Sequence, residues 1–116
     1  MKLAIVGSRL LEINDLENYI PENVTEIVSG GAKGIDTCAK SYAMSHGITY
    51  KEFLPEYSKY GKAAPIVRNR EIAEYVDAAL AFWDGKSKGT KNVISLFRKL
   101  DKDITIIEKN KSDTLS

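Results

Sequence analysis

Apolar residues fall along the chain in short unbroken runs, separated by longer stretches with helical spacing. Leu3 to Val6 is one such run and ends at Gly7-Ser8-Arg9, which predicts a buried strand followed by a tight turn. Leu11 to Ile20 is expected to form a short helix closed by Pro21. Thr25 to Ser29 is a second buried strand. Ile35, Cys38, Ala39, Tyr42, Ala43 and His46 follow at i, i+3, i+4, i+7, i+8 and i+11, the stripe of a helix, and Gly47 is a natural stop. Thr49 to Leu54 predicts a third strand, and residues 55–64, with Pro55 and Gly61, read as irregular. Pro65 sits where a helix begins, running to about Val76. Ala78 to Trp83 is a fourth buried strand. Val93, Leu96, Phe97 and Leu100 mark another helix face, and Ile104 to Ile107 a fifth strand. The polar residues 110–116 are expected to fray.

Strands and helices therefore alternate. Strands that are apolar throughout, rather than on alternate positions, belong to a parallel sheet covered on both faces. Right-handed crossovers then predict an α/β, Rossmann-like, doubly wound three-layer sandwich with a five-stranded parallel sheet. The expected organisation is one domain over residues 1–109 and a flexible polar tail over 110–116.

Composition narrows the chemistry. At 116 residues the chain has room for one domain with a core. A net charge of +1 argues against a protein that coats nucleic acid by bulk charge, though not against a local basic site. A single cysteine, Cys38, rules out a disulfide framework and a CxxC metal site, and a single histidine, His46, rules out a His-rich cluster. Both are read as helix residues without chemistry. The sequence begins directly with a strand pattern and holds no apolar run near ~18 residues. No signal peptide or membrane span is expected, and a cytoplasmic protein is the default.

In a doubly wound sheet, ligands bind outside the carboxyl ends of the strands. The residues just after the first strand are Gly7, Ser8 and Arg9; after the second, Ser29 to Gly34; after the fourth, Asp84 to Thr90. These loops are rich in glycine and carry Arg9, Lys33, Lys86 and Lys88. The second and third lead into helix N-termini, where unpaired N–H groups and the helix dipole favour an anion. Glycine lets the backbone come close to such an anion. The helix after Pro65 adds a separate argument. Asn69, Ile72, Ala73 and Val76 share one face, so the stripe turned to the sheet begins with a polar residue, and Arg68 lies beside it. A guanidinium and an amide on an inward face require partners, which an anionic ligand supplies. Trp83, beside the third loop, suits either base stacking or simple packing. Neither the P-loop spacing nor GxGxxG is present.

The segments GSR, SGGAKGID, RNREIA and FWDGKSKGT, in this order, resemble the SLOG superfamily, which includes DNA-processing proteins of the DprA (Smf) type and the Lonely-guy enzymes. The resemblance runs over roughly residues 3 to 107 and is nearest to the short single-domain, YspA-like branch, in which the pattern from Tyr60 to Asn69 also recurs. It implies a Rossmann-like fold with a site for a nucleotide or nucleotide-derived ligand. Gly7, Ser8, Arg9, Ser29, Gly30, Gly31, Asp36, Arg68, Asn69, Asp84, Gly85, Ser87, Gly89 and Thr90 would line or shape that site. Lonely-guy enzymes carry PGGxGTxxE, whose glutamate acts with an upstream arginine in cleaving the base–ribose bond. Aligning Gly89-Thr90 with that motif places Val93 at the glutamate and Arg68 at the arginine. Without the carboxylate such cleavage lacks its acid/base or charge-stabilising group, unless Asp36 or Asp84 replaces it.

The first reading is therefore a domain that senses or sequesters a nucleotide-derived anion, with no cofactor, metal or membrane partner. The second is a nucleotide phosphoribohydrolase with Arg68, Asp36 and Asp84 as candidate catalytic residues. The third is single-stranded DNA binding as in DprA-like proteins, supported only by the interleaved Tyr57, Lys59, Tyr60 and Lys62. A homodimer is implied by the resemblance alone.

Overall fold

The apolar runs become the middle of the sheet. A computed structural model of the chain describes residues 1–8, 11–30 and 34–109. Its strands are β1 (Lys2–Gly7), β2 (Glu26–Ser29), β3 (Thr49–Glu52), β4 (Ala78–Trp83) and β5 (Asp103–Glu108). They form one five-stranded sheet in the order β3-β2-β1-β4-β5, parallel throughout. β1 and β4 lie side by side at the centre, where both faces are covered, and their interior residues are buried without alternation. β3 and β5 lie at the edges, are largely exposed, and carry charges such as Lys51, Glu52, Asp103 and Glu108. Charged edge strands discourage pairing with other chains.

The described residues also form four α-helices: α1 (Ile35–Ser45), the single-turn α2 (Tyr57–Tyr60), α3 (Ala64–Tyr75) and α4 (Lys88–Lys99). On one face, Ile35, Ala39 and Ala43 of α1 pack with Leu11, Ile13 and Leu16 against Leu3, Ile5, Ile27 and Phe82. On the other, Ile72 and Ala73 of α3, with Val76 just beyond it, pack with Val93, Ile94 and Phe97 of α4 against Ala4, Val6, Val28 and Ala81. This is the expected Rossmann-like doubly wound α/β fold. Fully burying one Phe or Leu side chain contributes roughly 1.5–3 kcal/mol, and Phe82, Phe97, Leu3 and Ile5 are fully buried. No helix among the described residues is long and apolar enough to cross a membrane.

Three local expectations are corrected. Residues 11–20 hold only a 3-10 turn, Leu16–Asn18, rather than a helix. Leu11 and Ile13 are both buried yet only two apart, a spacing that an extended chain can bury together and a helix cannot. The Asp15 carbonyl accepts from the Asn18 N–H at 3.0 Å and closes the turn. The segment 55–64 is not irregular: it forms α2 and a 3-10 turn, Gly61–Ala63. The Glu56 carbonyl closes α2 by accepting from Lys59 N–H (3.1 Å) and Tyr60 N–H (3.0 Å). Neither turn buries a residue, so the apolar pattern held no sign of them. The third strand ends at Glu52, two residues early. The tail, 110–116, lies outside the described residues, as do Arg9 and Gly31 of the expected site.

Strand order reverses between β1 and β4. The chain builds outward from β1 through β2 to β3, then crosses back to β4 on the other side of β1. The carboxyl ends at this reversal are Gly7-Ser8 and Trp83-Asp84, where such folds open a crevice.

Candidate functional site

An open cavity of about 380 Å³ lies at that crevice, between the carboxyl edge of the sheet and the first turns of α3 and α4. Its polar lining is Gly7, Gly30, Asp36, Arg68, Asn69, Ser87, Gly89 and Thr90, and its apolar wall is Val6, Pro65, Ile72 and Val93. Residues from β1, the loop after β2, α1, α3 and the start of α4, from Val6 to Val93 in the chain, thus converge on one space.

Among the described residues that line this cavity, Arg68 is the one cation. Its Nη1 donates to the Gly30 carbonyl at 3.0 Å and its Nε donates to Asn69 Oδ1 at 2.8 Å. Asn69 Nδ2 in turn donates to Asn92 Oδ1, at 3.0 Å. A line of side chains from α4 through α3 to the β2 loop therefore fixes the guanidinium. Burial lowers the Arg68 pKa from the ordinary arginine range, opposed by the nearby Asp36 carboxylate and by Tyr57. Arginine stays charged at neutral pH all the same. A half-buried permanent charge is costly unless it is paired, which favours an anion beside it.

The glycines serve packing as well as access. A side chain on Gly30 would place its Cβ 2.5 Å from Arg68 Nη1, so the guanidinium occupies the space that this glycine leaves. A Cβ on Gly7 would meet Ile35 Cγ1 at 2.6 Å and the Phe82 carbonyl oxygen at 2.8 Å, so Gly7 lets α1 dock on β1. Gly89 has open space where a side chain would go and forms part of the wall at the α4 terminus.

The α4 terminus is shaped by Asp84. Its Oδ1 accepts from the Lys86 and Ser87 N–H groups, both at 2.8 Å, and these two bonds hold its carboxyl below the usual carboxylate range. Ser87 caps α4, its hydroxyl accepting from Thr90 N–H at 3.5 Å, while the first intrahelical bond there runs from Lys91 N–H to the Ser87 carbonyl. The N–H groups of the preceding first-turn residues have no partner within the helix. The Trp83 indole is held to the same turn, donating to the Ser87 carbonyl at 3.0 Å, and packs against the core beneath α4.

Four of the expected residues stand behind the cavity rather than in its wall. Ser8 is buried and its hydroxyl accepts from Asp84 N–H at 3.2 Å, tying the first loop to the third across the strand reversal. Ser29 is fully buried and shares a short hydrogen bond with the Tyr50 hydroxyl, which also donates to Glu52 Oε1 at 3.1 Å. Desolvation, mainly, raises the Tyr50 pKa far above the usual phenol range. Asp84 and Gly85 form the turn that presents Ser87. Val93 both lines the cavity and belongs to the core, as its place in an apolar stripe requires.

Sequence reasoning missed Asn92 and Tyr50. Asn92 lies one residue before the Val93 stripe and reads as surface; Tyr50 reads as one more apolar strand residue. Cys38 and His46 stay outside the site: the His46 ring stacks on Tyr42 with centroids 3.9 Å apart, near the end of α1. No group of three or more His, Cys, Asp or Glu among the described residues is arranged to hold a metal.

The fold and the cavity together define a Rossmann-like α/β domain with an arginine-bearing crevice at its topological switch. No family model, no curated protein and no solved structure matches the chain.

Proposed function

We propose that the protein binds a nucleotide-derived anion of about mononucleotide size, as a sensing or sequestering domain. The observation that supports this most directly is that the Arg68 guanidinium and the N-terminus of α4 open into the same cavity. Of the five N–H donors of the guanidinium, those on Nε and one on Nη1 are taken by described residues. The remainder suit a phosphate, and the first turn of α4 offers backbone N–H groups and the positive end of its dipole. The volume, about 380 Å³, lies near the low end of the roughly 300–1,000 Å³ typical of small-molecule sites. That favours one phosphoribosyl unit over a dinucleotide. Asp36, buried in the wall near Arg68, suits the hydroxyls of a ribose better than a second phosphate. The SLOG-like loops support the same reading and form part of the proposal.

Turnover is the second reading, favoured by one observation: Asp36 is a carboxylate in the cavity that also holds Arg68. Asp84 is less suited, because its carboxylate is committed to the backbone of its own turn.

Mass spectrometry of small molecules released on denaturing the purified protein, with calorimetry against AMP, ADP-ribose, a cyclic nucleotide and inorganic sulfate, tests the proposal. The expected result is a phosphorylated nucleoside bound more tightly than sulfate. No uptake of any phosphorylated compound at millimolar concentration would refute it. Release of free base from AMP, abolished in Asp36→Asn, would replace binding by hydrolysis.

A further inference from the structure

The segment from Glu56 to Ala63 is exposed at every residue, although it contains two tyrosines and folds into two defined turns. Tyr57 is 59% exposed and Tyr60 37%. The segment buries no residue and contributes little to the core, and it presents two aromatic rings to solvent. Its position relates those rings to the cavity. The segment runs directly into α3, against which α2 packs, and Pro65, five residues after Tyr60, is already in the cavity wall. Arg68 follows within the next turn of α3.

The cavity itself is suited to only part of a nucleotide. Its polar groups match phosphate and ribose, and its apolar residues, Val6, Pro65, Ile72 and Val93, offer no aromatic face. A base attached to a ribose in this cavity has to leave through its open side. Exposed rings that stack on bases add affinity with little regard to base identity, because every base has a π-face.

We propose that α2 forms a base-stacking wall at the rim of the site, with Tyr57 as the ring on which a purine or pyrimidine lies while phosphate and ribose occupy the cavity. This rests on the nucleotide reading above. It extends that reading to a second ligand element, the aromatic base, and to a residue outside the cavity wall.

Calorimetry with two probes separates the two ideas. Ribose 5-phosphate reports the phosphate and ribose positions alone; AMP reports those plus the base. In the wild-type protein AMP is expected to bind about tenfold or more tighter than ribose 5-phosphate. Tyr57→Ala should abolish that difference while leaving ribose 5-phosphate affinity unchanged, and Tyr57→Phe should keep it. Thermal melts of each variant confirm folding, which an exposed position should preserve. If Tyr57→Ala retains the full preference for AMP, or weakens both probes equally, the stacking wall is overturned and the phosphate site stands. If neither probe binds the wild-type protein, the nucleotide reading falls and takes the wall with it.

Discussion

The two ends of α3 each meet a half-buried cation, and the two cations are used in opposite ways. At the amino edge of the sheet, Lys102 donates to the carbonyls of Ala73 (2.7 Å), Glu74 (3.0 Å) and Val76 (2.8 Å). An ammonium has three donors, so Lys102 is saturated. It satisfies the orphan carbonyls of the helix end and complements the negative end of the dipole. At the carboxyl edge, Arg68 makes two hydrogen bonds among the described residues, keeps spare donors, and lines an open cavity. One cation closes the helix end; the other, among the described residues, keeps donors that face an open cavity. The two ends differ in how far a desolvated cation is saturated, not in the sign of their charge.

The largest effect is expected from removing Arg68. Losing a charge-assisted contact costs about 1.5–3 kcal/mol, roughly tenfold to more than a hundredfold in affinity. Arg68→Ala should weaken AMP binding by that order in calorimetry. The Tm of the ligand-free protein should change little, because relief of the buried charge offsets the lost bonds. Arg68→Lys should restore binding only in part, since it lacks the planar fork. An unchanged AMP affinity would remove Arg68 from the site.

Lys102→Met should do the reverse. The methionine keeps the apolar stem but leaves three carbonyls without their cation, at a cost of about 1.5–3 kcal/mol. For a domain of this size, the Tm should fall by roughly 5–10 °C, with AMP affinity in the folded protein unchanged. If ligand binding fell and stability did not, the assigned roles of the two ends would be exchanged.

Gly30→Ala sharpens the contrast, because its methyl would intrude on the seat of the guanidinium. A loss of AMP affinity of about 1 kcal/mol is expected, and little further loss when the same change is made in Arg68→Ala, a coupling that a double-mutant cycle measures. Full additivity would show that Gly30 contacts the ligand by itself.

The smallest effect is expected at Asp84. Its folded-state pKa is depressed by the Ser87 and Lys86 N–H groups. The ionised form therefore stabilises the fold above its ordinary unfolded pKa of about 3.9, and this contribution is lost as pH falls through the lower folded value. Asp84→Asn keeps the acceptor oxygen and removes the charge. It should lower the Tm slightly at neutral pH, with the difference from wild type vanishing in acid. A difference that persists in acid would mean that the turn depends on something other than the charge.

The central strands and the faces of α3 and α4 were legible because period and burial coincide there. Leu3 to Val6 and Ala78 to Trp83 are apolar throughout and lie at the covered centre of the sheet, and Asn69, Ile72, Ala73 and Val76 are all buried. Residues 11–20 and 55–63 were not legible for a shared reason. Their conformations rest on local turns, and in the second segment no residue is buried to leave an apolar trace. In the site, the loops were legible through their glycines, but what each glycine does was not. Gly7 and Gly30 make room for Ile35 and Arg68, residues 28 and 38 positions away.

Hydrophobic periodicity and turn chemistry are properties of neighbouring residues, so the α/β parallel sheet and the three loops after its strands could be read from the chain alone. Folding brings Arg68 into the hollow of Gly30, Asn92 onto Asn69, Tyr50 onto Ser29, and Lys102 onto the end of α3. Each of these pairs is separated by more than 20 residues and comes together only once the strand order β3-β2-β1-β4-β5 is set. Which polar groups meet is then a matter of crossover geometry, and no pattern confined to one segment records it.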